Sequence, residues 1–361
     1  LMKIRDRYIN KTLRNYTLVV LLIWLSIYSF FNFLGELNSI GQFDYTVLEA
    51  FKYIILKMPE VAYKQASPII LLGCVLGMGY LSTTNQLVVL QVSGNSVLKL
   101  TALTVRTALF FVFMIIAFGE YIAPIASEEA EKGRTKALGQ SFASQNQEGF
   151  WIREGGNYLN VEKNIDGNHF VGVTIIEVKS NKITSVVKSE DATFDGKSLK
   201  MDDTDIFSIN DSKDIDEISL KERNSYNKIV SFDQDLINSL KKEPDELTTR
   251  NIYKQIQFLS DNKLNSGIYK VELYKRAIKP ITLVAMILLA MLFVFGSTRD
   301  VSLGRKIFFG VSLGLSFEML SRIGGAMALS LDFNPMISAV LPTTVVMVIA
   351  ITLLIRKSVI N

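Results

Sequence analysis

Residues 281–295 read ITLVAMILLAMLFVF, and no charged residue falls between Lys279 and Arg299. An apolar run of about 20 residues matches the ~30 Å of hydrocarbon in a bilayer. Lipid offers no partner to backbone N–H and C=O groups, so a run of this kind must be helical. Five more segments contain such runs: Trp24 to Leu34, Ile69 to Leu81, Leu109 to Phe118, Ile307 to Phe317 and Ile337 to Ile355. Three of the six precede a polar stretch and three follow it. The 361-residue chain is 49% hydrophobic and 20% charged, less charged than a soluble domain, and its apolar residues come in blocks. The expected fold is therefore an α-helical membrane protein with six transmembrane helices and an extramembrane all-β domain between helices 3 and 4. The expected division is residues 1–138 for the first three spans, 139–265 for the β domain and 266–361 for the last three.

Lysine and arginine near the ends of the spans orient them. Lys3, Arg5, Arg7, Lys11 and Arg14 precede the first span. Lys99 and Arg106 follow the second, Arg299, Arg305 and Lys306 lie between the fourth and fifth, and Arg356 and Lys357 close the sixth. With six spans all of these fall on the cytoplasmic side, which places both termini inside and the polar insert outside. The net charge of +4 is read as topology and not as affinity for nucleic acid. A single cysteine, Cys74, excludes an internal disulfide, and a single histidine, His169, excludes a histidine-built metal site. The first apolar segment is too long for a signal-peptide core and lacks a cleavage site after it.

The insert changes period. Asn157 to Val161, His169 to Val178, Lys182 to Val187, Ser198 to Met201 and Asp205 to Asn210 are short β-prone runs. Turn formers separate them at 154–157, 166–168, 180–181 and 195–196. Val171, Val173 and Ile175 alternate with Gly172, Thr174 and Ile176, which predicts one half-buried strand face. Such close spacing favours an antiparallel sandwich or open roll. Residues 244–276 read as helical and lead to the fourth span at Pro280, and the third span is expected to close at Glu120 and Pro124.

Catalytic constellations are not legible. Gly196-Lys197-Ser198 ends like a phosphate loop, but Asp191 stands where the first glycine belongs, so it reads as a turn. No cofactor is implied, and any ATP hydrolysis falls to another chain. The stretch about 83–95 reads as a short helix, capped by threonines and stopped at Gly94. Leu87, Val88 and Leu90 with Gln91 form an apolar stripe too short to cross the bilayer, fit either for a groove on a partner or for the lipid surface. Glu318 and Arg322, four apart within the fifth span, share one helix face.

The run Leu81-Ser82…Gln86-Leu87-Val88-Val89-Leu90-Gln91…Ser93-Gly94 resembles the coupling helix of the lipopolysaccharide export permeases, the LptF/LptG family. Asp6-Arg7-Tyr8-Ile9, Gly119-Glu120-Tyr121, Ala123-Pro124, Gly149-Phe150-Trp151, Lys279-Pro280-Ile281 and Phe293-Val294-Phe295-Gly296 extend the likeness end to end, nearer the LptG branch than LptF. The resemblance implies a non-catalytic permease subunit of an ABC transporter in the bacterial inner membrane, with a periplasmic jellyroll-like β domain. It implies as partners an LptF-type permease, an LptB-type ATPase dimer and an LptC-type bitopic subunit, with lipopolysaccharide as substrate. Asn85, Gln86, Leu87, Leu90, Gln91 and Gly94 would couple to the ATPase. Gln86 departs from the glutamate usual in the family. Arg134 falls where the family places a substrate-contacting arginine. Asn32, Glu60 and Glu131 stand where relatives often carry cations, and Lys64 and Lys132 are the compensating candidates, with Arg322 and Glu318 a further pair. Two other classes stay open from the residues alone: a structural or signalling membrane protein with an outer partner-binding domain, and a lipoprotein-releasing type of permease. The latter usually has four spans, with the large domain after the first.

Overall fold

The computed structural model describes residues 4–139, 149–165, 168–180, 182–211, 216–233, 236–237, 242–296, 303–330 and 333–360. The turn formers at 166–167 and 181, together with Lys3 and Arg299, lie outside them. Helix α1 is Ile4–Glu36, α2 Val47–Lys64, α3 Ala66–Thr83, α4 Gln86–Val92 and α5 Val97–Ala117. A π-turn, Phe118–Ile122, joins α5 to α6, Ala123–Ala137. Six strands follow: β1 Phe150–Glu154, β2 Asn157–Asn164, β3 His169–Lys179, β4 Lys182–Phe194, β5 Ser198–Asp211 and β6 Asp216–Ile229. Then come α7 Thr249–Asp261, α8 Gly267–Gly296, α9 Leu303–Ser330 and α10 Pro335–Ile360. Among the described residues six helices are long and apolar enough to cross a membrane.

The chain forms two compact units. One comprises residues 1–38, 50–130 and 267–361, the other 39–49 and 131–266. In the helical unit α3 and α8 sit at the centre, with Ile70, Leu71, Met78, Met286 and Ile287 fully buried in one apolar cluster. Helix α1 lies on Gly73 and Gly77 of α3; a Cβ on Gly73 would stand 2.9 Å from the Thr17 Cα. Gly310 and Gly314 of α9 admit Leu72 and Pro68 of α3 in the same way. Two boundaries differ from expectation. The sequence reads residues 53–82 as one second span, bent at Pro59 and Pro68, but α2 ends at Lys64 and α3 begins at Ala66, and only α3 has the length and hydropathy of a span. Nor do Glu120 and Pro124 close the third. The helix runs on to Ala137, because the π-turn lets the Ala123 N–H reach the Phe118 carbonyl, and Pro124 sits at the second position after that shift, in the opening turn of α6. Helix α8 likewise starts at Gly267 and carries Pro280 inside it.

In the other unit the strands pair antiparallel in sequence order as one sheet. The all-β insert expected from the sequence is there, as an open roll in meander order. Strand β5 spans both runs that the sequence separates at Asp202–Thr204. A crease explains the separation. The pairs immediately on either side of the row Glu162–Gly172–Glu190–Asp203–Asn224 keep the same register, but that row is omitted in every strand pair it crosses. Gly172 and Asp203 take positive φ there, 68° and 45°. The inward face changes phase across the crease: Val161, Val173 and Val187 point in on one side, Asn164, Phe170 and Ala192 on the other. Val171 is therefore not on the core face expected for it, and Phe170 takes that place. The Ser189 hydroxyl sits at the crease within hydrogen-bond distance of two carbonyls, Asp191 at 2.7 Å and Asp202 at 2.5 Å, which share its single proton.

The core between the two halves of the roll includes Phe150, Phe170, Phe194, Leu199, Met201 and Phe232, with Phe258 of α7 packed against it. Thr248 caps α7 by accepting from the Asn251 N–H at 3.1 Å. The roll is pinned by an ion pair between strands that are not neighbours. Lys228 of β6 reaches Glu177 of β3 at 2.6 Å, and Ser185 donates to the other Glu177 oxygen at 2.9 Å. The hydrogen bond from Lys228, with the one from Ser185, holds the Glu177 carboxyl below its ordinary range against the opposing effect of burial. A folded pKa below the unfolded value near ~4.3 means the stabilisation is fully present above that value and fades as pH falls through the lower folded one. Acidification from pH ~6 to ~3 is thus expected to lower the melting temperature of the β unit, and less so in Lys228→Met. Thermal melts of the two purified chains across that range check it; identical pH slopes contradict the pinning role.

Candidate coupling helix and polar network

Helix α4 is short, and its ends are set by specific bonds. The Thr83 and Thr84 hydroxyls donate back to the Tyr80 carbonyl at 3.0 and 2.8 Å, so they close α3 and do not cap α4. The turn is made by Asn85 at φ 60°, whose carbonyl accepts from Val89 N–H. At the far end Gly94 has φ 82° and its N–H reaches the Gln91 carbonyl at 3.0 Å. The Asn95 side chain donates to the Leu90 carbonyl at 2.8 Å and accepts from Arg5 of α1 at 2.5 Å. This tie between the end of α4 and the start of α1 was not legible in the sequence.

The stripe expected to face outward is turned inward. Leu87 is 3% exposed in the bundle core and Leu90 packs against the same cluster. Three residues apart, they share one helix face, and the helical core beneath competes for it. Val89 and Val92, also three apart, form the outward face, with Val92 84% exposed. Gln86 is half-buried, and its Oε1 has no hydrogen-bond partner among the described residues.

A polar network missed at the sequence level ties α2, the π-turn and α8. The Tyr63 hydroxyl donates to Glu120 Oε1 at 3.0 Å, and Arg276 Nη1 lies 3.8 Å from Glu120 Oε2. Arg276 also donates to Glu272 at 3.1 Å, and the Lys279 ammonium stands 5.1 Å from the Tyr63 ring centre. The Tyr63 ring occupies the space that a side chain on Gly119 would need. The signal available was Gly119-Glu120 within a span just before Pro124, a sequence that disfavours a plain α-helix.

Lys64 pairs with Glu60 at 2.8 Å, and Lys57 approaches the same carboxylate at 3.2 Å, while Ser127 donates to it at 2.5 Å. Glu318 and Arg322 pair at 3.7 Å, with the Arg322 side chain 69% exposed. In the β unit Lys132 is exposed on α6, and the Arg134 guanidinium lies 6.0 Å from the ring of buried Tyr45. Among the described residues no group of His, Cys, Asp and Glu is arranged to hold a metal.

Six apolar helices, a β-rich insert between the third and fourth, and a short helix set between two of them define the class as a multi-pass membrane protein. The sequence profile described as "Lipopolysaccharide export system permease LptF/LptG" matches residues 7–356, and the chain belongs to that family. It is similar to the Lipopolysaccharide export system permease protein LptG of Escherichia coli strain K12, 27% identical over 98% of both chains. The protein of the same name from Haemophilus influenzae is 24% identical, again over 98% of each.

Proposed function

We propose that this chain is the membrane-spanning subunit of an ABC-type exporter that extracts lipopolysaccharide from the bacterial inner membrane and passes it toward the outer membrane. ATP is hydrolysed on a separate LptB-type dimer, and the assembly also contains an LptF-type permease and an LptC-type bitopic subunit. Both termini are cytoplasmic and the β unit is periplasmic, in line with the basic residues beside the spans. The observation that carries this reading is the family match over residues 7–356, which includes α4 and the β unit alike.

In this reading α4 is the cytosolic hook on which the ATPase pulls, with Asn85, Gln86, Leu87, Leu90, Gln91 and Gly94 shaping it and Val89 and Val92 presenting its apolar contact. The buried, unpaired Gln86 oxygen supports a donor arriving from the ATPase, since leaving such an acceptor unpaired costs about 1–3 kcal/mol. Arg134, Lys132, Lys64 and Arg322, the last held by Glu318, are the proposed contacts to the anionic substrate. Isolation of a tagged chain in mild detergent tests the assignment. The wild type is expected to bring a soluble ATPase and a second six-span subunit. Val92→Asp should lower the recovered ATPase at least about tenfold, the effect of losing ~1.4 kcal/mol or more at the contact. Gln86→Glu should retain it. A wild-type chain recovered without any ATPase sinks the proposal.

A further inference from the structure

The end of the helical unit that holds the start of α1 carries cations with an order that topology alone does not require. Arg7, Lys11 and Arg14 are all exposed and lie four and three residues apart, so they form one stripe along α1. Leu18 and Leu22, both exposed, continue the same face toward the middle of the span. Helix α5 repeats the pattern: exposed Lys99 and Arg106, seven apart, are followed on their face by exposed Phe110 and Phe113. The two helices touch where the Thr107 hydroxyl donates to the Asn10 side-chain oxygen, so Lys11 and Arg106 flank that contact. There is no acid between Arg7 and Gly35 or between Gln86 and Gly119. Asp6, beside the stripe, is already held by Arg5 at 2.7 Å. A preference for cations on one side of a membrane accounts for their presence near span ends. It does not account for their alignment on adjoining helices, directly above exposed apolar side chains.

We propose that this surface binds an anionic phospholipid. Its phosphate lies against Lys11, Arg14 and Arg106, Arg7 and Lys99 flank the headgroup, and the acyl chains run along Leu18 and Leu22 and along Phe110 and Phe113. Charge complementarity selects an acidic headgroup, and the apolar continuation selects a lipid over a soluble phosphate. The inference does not rest on the export reading, because it uses only the two helices and their charges.

The test is native mass spectrometry of the purified full-length chain taken from bilayers of equal parts phosphatidylethanolamine and phosphatidylglycerol. The wild type is expected to retain phosphatidylglycerol preferentially. Lys11→Gln/Arg14→Gln/Arg106→Gln should bind it about fivefold more weakly per cation removed. Lys99→Gln/Arg106→Gln, which leaves the α1 cations to maintain topology, should show a smaller loss in the same direction and keeps the test open if the triple variant does not fold. Arg356→Gln, a cation on α10 outside the stripe, should retain the lipid. Bulk-ratio retention by the wild type, or unchanged phosphatidylglycerol in both multiple variants, would each overturn the proposal.

Discussion

Phe170→Ala is expected to destabilise the β unit by about 4 kcal/mol, within the ~3–5 kcal/mol typical of a fully buried phenylalanine truncated to alanine. Phe170 has 0% exposure and packs edge-on against Phe150, with ring centres 5.7 Å apart, and stacked on Phe194 at 6.0 Å. Phe194 in turn meets Phe232 at 5.5 Å, so removing the central ring disturbs a chain of four aromatics from the strands and the segment after β6. The site also lies next to the crease, where Gly172 turns the strand so that Phe170 points inward. Leu220→Ala on β6, where the side chain is exposed, should change stability by less than about 0.5 kcal/mol. Differential scanning calorimetry of the purified chain, with limited proteolysis of the insert, distinguishes the two. Equal melting for both variants would mean that the roll is not held by this core.

Gly119→Ala is expected to destabilise the helical unit by about 3 kcal/mol. The new methyl would stand 1.9 Å from the Tyr63 Cδ2, a separation no real pair of carbons adopts. Overpacking of this kind costs about 1–3 kcal/mol. Displacing the ring also breaks the Tyr63 hydrogen bond to the Glu120 carboxylate, adding roughly 1.5–3 kcal/mol if nothing replaces it. The neighbours are coupled, so the two costs should not add fully. Tyr63→Ala alone loses the bond without the clash, and Gly119→Ala/Tyr63→Ala should melt no lower than Tyr63→Ala. A double variant as unstable as the two losses summed would show that the glycine matters for some reason other than the ring.

The contrast between the two sites shows what was readable. Six spans follow from solvent physics: a long uncharged run such as 281–295 has no alternative to a helix in hydrocarbon, whatever its neighbours do. The strands of the insert were visible where alternation and turns coincide, as at Asp195-Gly196, whose carboxylate accepts from the Ser198 N–H at 2.7 Å. Strand β6 was not, because it is a largely polar edge strand whose ladder on β5 carries it and whose few apolar residues, Ile218, Leu220, Tyr226 and Ile229, are too sparse to announce it. The crease was hidden for a different reason. A row such as Glu162, Gly172, Glu190, Asp203 and Asn224 is assembled from five strands, and no single stretch of chain contains it.

The same division holds for the candidate site. Spacing determined that α4 would be a short helix ending at Gly94, because glycine at positive φ is a local requirement. Which face it offers was decided by the bundle. Leu87 and Leu90 went to the core and left Val89 and Val92 outside, a choice made by contacts from helices distant in sequence. Partners such as Glu120 with Tyr63 and Arg276, or Arg5 with Asn95, are likewise products of packing, for a charge in the sequence carries no record of what will stand opposite it. Hydropathy and local backbone chemistry act through neighbours along the chain and can be read there. Pairing, phase and facing act through neighbours in space, and only the assembled tertiary structure settles them.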